Sequence, residues 1–291
     1  MKIAMLLAAV TAWLAWSAPL AAANVRNHAI VQEGETSIEV IVDEASGPDA
    51  RERKGVIVLL PSSQRGSEDF DTVAELLAQA GYRVLRPQPR GIGASRGPLE
   101  GMNLHTLAGD VALAIRLLGQ GRAIVVGHAY GHYVARVTAQ DYPALVRGVV
   151  VAAAAAKGRL PGQLSAALDT AADQRNSPAQ RIAALRDAFF SGPFVSQSWL
   201  EGWHPELASA YRQASRTTPQ STWWPYSTVP ILDLQAQHDP WRPAATRGEL
   251  RDALPGMVEV RVIPDASHAL FPEQPQAVAR EIVDWADTLA R

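Results

Sequence analysis

The segment Gly127-His128-Ala129-Tyr130-Gly131 directly follows the apolar run Ala123-Ile124-Val125-Val126. Glycines at i and i+4 after a strand suit a sharp strand-turn-helix elbow, which lifts its central residue out of the sheet toward a substrate. The spacing is similar to that of the G-x-S-x-G motif, whose central residue is a nucleophilic serine. The residue present is Ala129, which has no oxygen with which to form an acyl-enzyme. Disabling such a nucleophile costs on the order of a millionfold in turnover, roughly 8 kcal/mol of barrier. Covalent ester hydrolysis through residue 129 is therefore excluded.

Two later positions have the residue types that would serve such a nucleophile. Asp239 stands in Gln237-His238-Asp239-Pro240, just after the apolar segment 231–234, and His268 stands in Asp265-Ala266-Ser267-His268-Ala269-Leu270, after the segment 258–263. A carboxylate that orients an imidazole makes a general base, and both residues fall beyond the carboxyl ends of expected strands, where open parallel sheets place their sites. His128 and His132 are spaced as a helical pair of metal ligands, but no glutamate lies between them and no third ligand is evident. His128 reads as elbow structure and His132 as a pocket residue; no metal and no cofactor are expected. In the loop Arg90-Gly91-Ile92-Gly93-Ala94-Ser95-Arg96-Gly97 the glycine spacing and the following Pro98 argue against a dinucleotide site.

The elements that must hold these residues are legible as alternating short β-branched runs and longer amphipathic ones. Residues 37–42, 55–60, 82–85, 122–126, 146–152, 230–235 and 258–263 read as strands. Residues 69–80, 104–118, 130–140 and 275–290 read as helices. The expected fold is α/β: a mostly parallel central sheet flanked by helices. Between about 157 and 228 the rhythm breaks into successive helical stretches, at 164–172, 178–190 and 205–215, and this reads as a helical insertion that would act as a lid. It carries Phe189, Phe190, Phe194, Trp199, Trp203, Trp223, Trp224 and Tyr226. Those aromatics suggest the roof of an apolar pocket, with Trp223 and Trp224 as candidate substrate contacts.

Composition bounds the partners. With 291 residues, 47% of them hydrophobic, the chain can bury one large core, and its formal charge of −2 leaves no footprint for nucleic acid. There is no cysteine, which removes disulfides and thiol chemistry. Lys2, the apolar stretch 3–16, Pro19 and Ala21-Ala22-Ala23 read as a signal peptide over residues 1–23, cleaved near Ala23. The expectation is an exported protein, periplasmic or secreted, with residues 24–291 as its domain and no stable membrane span after cleavage. The expected partner is a small molecule; the sequence does not speak to oligomeric state.

From about Val56 to the C-terminus the chain resembles the lidded α/β-hydrolases. The resemblance is carried, in order, by Leu59-Leu60-Pro61-Ser62-Ser63, Arg90-Gly91-Ile92-Gly93-Ala94-Ser95, the elbow, Asp239-Pro240 and Ser267-His268-Ala269-Leu270. It implies Asp239 as orienter, His268 as base and Ala129 at the nucleophile position. It also implies an oxyanion hole built from the backbone N–H of Tyr130 and of Ser62 or Ser63. Pro61-Ser62 replaces the usual His-Gly of the oxyanion segment, and His132 replaces a glycine that often follows the elbow. The substrate class implied is a small, fairly apolar ester, lactone or related molecule. Ala129 leaves four readings open. The first is an alanine introduced into a working serine hydrolase, and the second is His268 and Asp239 acting without a nucleophile, in hydrolysis or in lyase or oxygenase chemistry. The third is another nucleophile, from Ser62, Ser63, Ser95 or Tyr130, and the fourth is a non-catalytic binder of an apolar ligand.

Overall fold

A computed structural model describes residues 24–46, 53–158 and 161–289. The expected signal peptide, residues 1–23, lies outside the described residues. The chain opens with two antiparallel strands, β1 (Asn24–Glu33) and β2 (Thr36–Ala45), followed by β3 (Gly55–Leu60), helix α1 (Asp71–Gln79) and β4 (Tyr82–Pro87). Helix α2 (Leu104–Leu118), strand β5 (Ala123–His128), helix α3 (Gly131–Asp141) and strand β6 (Val146–Ala152) continue the alternation. Helices α4 (Gly162–Ala172), α5 (Pro178–Ala188) and α6 (Ala208–Thr217) then follow one another before strand β7 (Ile231–Ala236). The chain closes with α7 (Glu249–Ala253), β8 (Val258–Ile263), α8 (Leu270–Glu273) and α9 (Pro275–Ala286).

The eight strands form one sheet in the order β1-β2-β4-β3-β5-β6-β7-β8. β1 and β2 pair antiparallel with each other and β2 pairs antiparallel with β4, whereas every pairing from β4 through β8 is parallel. The inner strands are buried on both faces, so their side chains divide between two cores by simple alternation. On β5, Ala123 and Val125 join the cluster under α2 and α3, while Ile124 and Val126 join the one under α1 and α9. This is the α/β architecture that the alternating sequence runs predict.

The short helices α7 and α8 went unsignalled by hydrophobic patterning, and so, among the described strands, did β1. It is an edge strand on which only Val31 is buried, so its sequence carries no alternation to read. The helices between β6 and β7 have an aromatic core of their own. Phe189, Phe190, Trp199 and Trp203 pack there against Trp241 and Ala269 of the sheet body. Trp223 and Trp224 pack instead with the core under α3, and Phe194 and Tyr226 are exposed.

The sharpest packing constraint sits between β5 and α3. A Cβ on Gly127 would fall 2.3 Å from the backbone of Gly131, and one on Gly131 would fall 2.3 Å from the Leu60 carbonyl oxygen. Backbone cannot yield as a side-chain tip can, so Gly127→Ala is expected to cost about 3 kcal/mol. Gly162, in the first turn of α4, meets nothing within 4 Å. Gly162→Ala should therefore lie within about 0.5 kcal/mol of the parent. Urea-unfolding midpoints of the two variants check the contrast.

Candidate active site

Strand β5 ends at His128 and helix α3 begins at Gly131, so the chain must reverse within two residues. Ala129 takes the strain, with φ at +46°, a left-handed conformation that costs a non-glycine residue roughly 1–2 kcal/mol. The turn is pinned on both sides. Ala129 N–H donates to the Ala152 carbonyl at 2.9 Å, and the Ala129 carbonyl accepts from His132 N–H at 3.0 Å. His132 also turns its Nδ1–H back onto that same carbonyl.

Asp239 and His268 come from the loops after β7 and β8, and the fold brings them together. His268 Nδ1 lies 3.1 and 3.0 Å from the two Asp239 carboxylate oxygens, with both side chains buried. Asp239 is itself fixed, because its Oδ1 accepts the Trp241 backbone N–H at 2.9 Å. With Nδ1 donating to the carboxylate, Nε2 is the basic nitrogen of His268, and among the described residues it has no hydrogen-bond partner. The ring is bracketed by Trp241, Phe189 and His128, with centroids 5.2, 5.6 and 5.5 Å away. Three further bonds hold the loop that carries it. His128 Nε2–H donates to the His268 carbonyl at 2.7 Å, Ala269 N–H donates to the Phe189 carbonyl at 2.7 Å, and Glu273 accepts Ser267 N–H at 2.6 Å.

Ser62, Ser63 and Tyr130 each keep a backbone N–H that donates to no acceptor among the described residues. Such unengaged N–H groups can stabilise a developing oxyanion. A cavity of about 50 Å³ lies beside them, lined by Leu60, Pro61, Ser62, Tyr130 and Gly131 and reaching Arg90 and Asp110. Trp223 and Trp224 do not line it. Trp223 stacks on Tyr133 at 5.0 Å and on His132 at 6.2 Å, and both tryptophans lie over the Arg136 guanidinium. Two substitute nucleophiles raised by the sequence are already committed elsewhere. Ser95 Oγ donates to the Gln88 carbonyl at 2.9 Å in a fully buried position, and Tyr130 OH donates to the Tyr211 carbonyl at 2.9 Å. Burial also raises the Tyr130 hydroxyl well above its ordinary pKa, which keeps it protonated.

Sequence reasoning missed Trp241, Arg65 and the buried polar group behind His132. Arg242 pairs with the fully buried Asp233 at 3.2 Å, and burial pushes that carboxyl up to about 6. Arg136 donates to the carbonyls of Trp223, at 3.3 Å, and Tyr226, at 3.2 Å. Only the Arg65/Asp69 spacing of i,i+4 carried any sequence signal, since the remaining partners are distant in the chain.

A sheet of this order, with a strained elbow after β5 and an Asp/His pair after β7 and β8, defines a protein of the α/β-hydrolase class. Residues 57–281 match the alpha/beta hydrolase family, and the chain belongs to it. A pyrethroid hydrolase of Sphingobium wenxiniae is 28% identical over 256 residues, spanning 80% of this chain and 88% of that protein. Epoxide hydrolase A of Mycobacterium tuberculosis is 38% identical over 88 residues, 25% of this chain and 27% of that protein. Among solved structures, an esterase from Exiguobacterium antarcticum aligns with a TM-score of 0.71 at 19% identity, over 89% of this chain and 99% of that one. E-2-(acetamidomethylene)succinate hydrolase aligns at 0.69 and 20% identity, over 91% and 100%.

The elbow histidines give the site a pH signature. Burial pushes His128 down to about 3, with the neighbouring His268 adding to the effect. His132 is likewise pushed to about 3 by burial, with the Arg136 charge contributing next. Both are neutral donors at pH 7. A histidine whose folded pKa lies below its unfolded value of about 6.5 takes up its proton only in the unfolded chain between those limits, so its contribution to stability is lost as pH falls below about 6.5. Relative to His132→Gln, the parent should lose about 1.4 kcal/mol per pH unit from pH 6 to 4. Urea melts of the two proteins across that range check it, and a pH-independent gap would contradict the assignment.

Proposed function

We propose that this chain is an exported hydrolase-type protein whose site takes the carbonyl of a small, fairly apolar ester, lactone or related substrate. The observation that carries the reading is the His268–Asp239 pair, assembled and supported on every side at an elbow still held in its strained form. In this reading the substrate carbonyl lies against the N–H groups of Tyr130 and of Ser62 or Ser63. His268 Nε2 takes a proton from a water, and the hydroxide so formed adds to the carbonyl carbon. The tetrahedral oxyanion is held by those N–H groups. Its collapse breaks the bond to the leaving group, which receives the proton from His268. Asp239 keeps the imidazole in the Nδ1–H tautomer throughout and stabilises the imidazolium.

The similarity to a pyrethroid hydrolase, an enzyme named for an ester class, supports an apolar ester as substrate. The cavity walled by Leu60, Leu107, Val111 and Val134 touches Ser62 and Tyr130 but not Ala129, Asp239 or His268, so it supports the reading only as room for a small apolar group beside the oxyanion donors. The helices between β6 and β7 would form the lid over it. Export, with a periplasmic or secreted location, rests on Lys2, the apolar stretch at 3–16, Pro19 and Ala21-Ala22-Ala23.

A second reading, a pocket that binds an apolar ligand without turnover, is favoured by one fact: Ala129 offers no nucleophile. Turnover of short aryl esters such as p-nitrophenyl acetate by the purified chain separates the two. The proposal predicts slow hydrolysis that His268→Ala abolishes and Asp239→Asn lowers by roughly 100-fold or more. Hydrolysis at the buffer rate in the parent, or a rate that both substitutions leave unchanged, would favour the binder.

A further inference from the structure

Arg65 follows β3 on the turn that also carries Ser62 and Ser63, and it is only 2% exposed. A buried guanidinium is tolerated when its donors are engaged. Nε donates to Asp69 Oδ2 at 2.8 Å, and Nη2 donates to Asp69 Oδ1. The remaining bonds cross to the helical insertion, where Nη2 donates to the Ser198 carbonyl at 3.0 Å and Nη1 to the Glu201 carbonyl. The guanidinium carbon also lies 4.8 and 4.7 Å from the ring centroids of Trp199 and Trp203.

The backbone repeats the connection. His204 N–H donates to the Gln64 carbonyl at 2.9 Å, and Arg65 and Trp203 form an isolated antiparallel bridge. The turn itself is tight, with Arg65 N–H returning to the Ser62 carbonyl at 3.2 Å and Gln64 at φ +64°. From the insertion side, Trp199 stacks edge-on against His128 at 6.3 Å, and His128 in turn holds the His268 carbonyl.

We infer that Arg65 is a positioning residue that couples the seating of the helical insertion to the placement of the Ser62 and Ser63 N–H groups. With residues 198–204 seated, each nitrogen of the guanidinium has an acceptor and the turn is fixed. When that segment lifts, Arg65 loses two carbonyl acceptors and two aromatic neighbours, and the strained turn is free to relax. The oxyanion site is then complete only under a closed insertion. The catalytic half of this inference rests on the oxyanion reading of Ser62 and Ser63, whereas the structural coupling does not.

The test is hydrogen exchange of the full chain, parent against Arg65→Met, with Arg65→Lys read the same way should the first variant fold poorly. Exchange is expected to rise together in the segments 197–204 and 62–66, while β7 and β8 keep the parent's protection. A rise confined to 197–204 would overturn the coupling, as would loss of protection in β7 and β8, since Arg65 would then serve general stability. In an Ala129→Ser background, p-nitrophenyl acetate turnover should show kcat lowered roughly 10- to 100-fold by Arg65→Met, with KM moved less than about threefold. An unchanged kcat with paired exchange changes would overturn only the catalytic half. An inert Ala129→Ser background would count against the hydrolase reading and leave the exchange result to decide the coupling.

Discussion

The close approach of α3 to the ends of β3 and β5 is the constraint on which the site depends. Gly131 lies where any side chain would strike the Leu60 carbonyl, and Gly127 lies where one would strike Gly131. Only with both positions empty can the helix start so near the sheet. That proximity forces Ala129 into its left-handed conformation and sets the free Tyr130 N–H beside the segment that carries Ser62 and Ser63. A residue with no reactive atom thus occupies a backbone shape that costs free energy to maintain, which strain of this kind does where the surroundings over-determine it.

The remaining parts reach the elbow through few, well-defined bonds. The His268 loop is held from the elbow by His128, from the insertion by the Phe189 carbonyl, and from its own helix by Glu273. The two elbow histidines stay neutral because they are buried, and each spends one ring N–H on a main-chain carbonyl. His132 therefore has a structural use here: it adds a second donor to the Ala129 carbonyl. The aromatic residues of the insertion act mainly as packing. Phe189 and Trp199 surround the imidazoles, while Trp223 and Trp224 cover Arg136.

The parallel core was legible because its strands are apolar on both faces and its helices amphipathic, and the order of elbow, acid and histidine was legible because each follows a strand. β1 was not, since an exposed edge strand needs no alternating pattern. Trp241 and Arg65 were hidden for a different reason. Their contacts join residues distant in the chain, Arg65 with Glu201 and Trp241 Nε1 with the Ala188 carbonyl, and no local spacing encodes such pairs. The aromatic concentration was visible in the sequence, but which rings would face the imidazoles was decided by the path of the insertion.

We propose that the elbow, the Ser62, Ser63 and Tyr130 N–H groups, Asp239 and His268 together form a hydrolytic site that lacks only the nucleophilic oxygen. Intact-mass analysis of Ala129→Ser during reaction with p-nitrophenyl acetate tests it most directly. The account predicts a burst of p-nitrophenol close to one equivalent, with a matching acetyl adduct on residue 129 that His268→Ala prevents. A folded Ala129→Ser protein that shows neither burst nor adduct would contradict it.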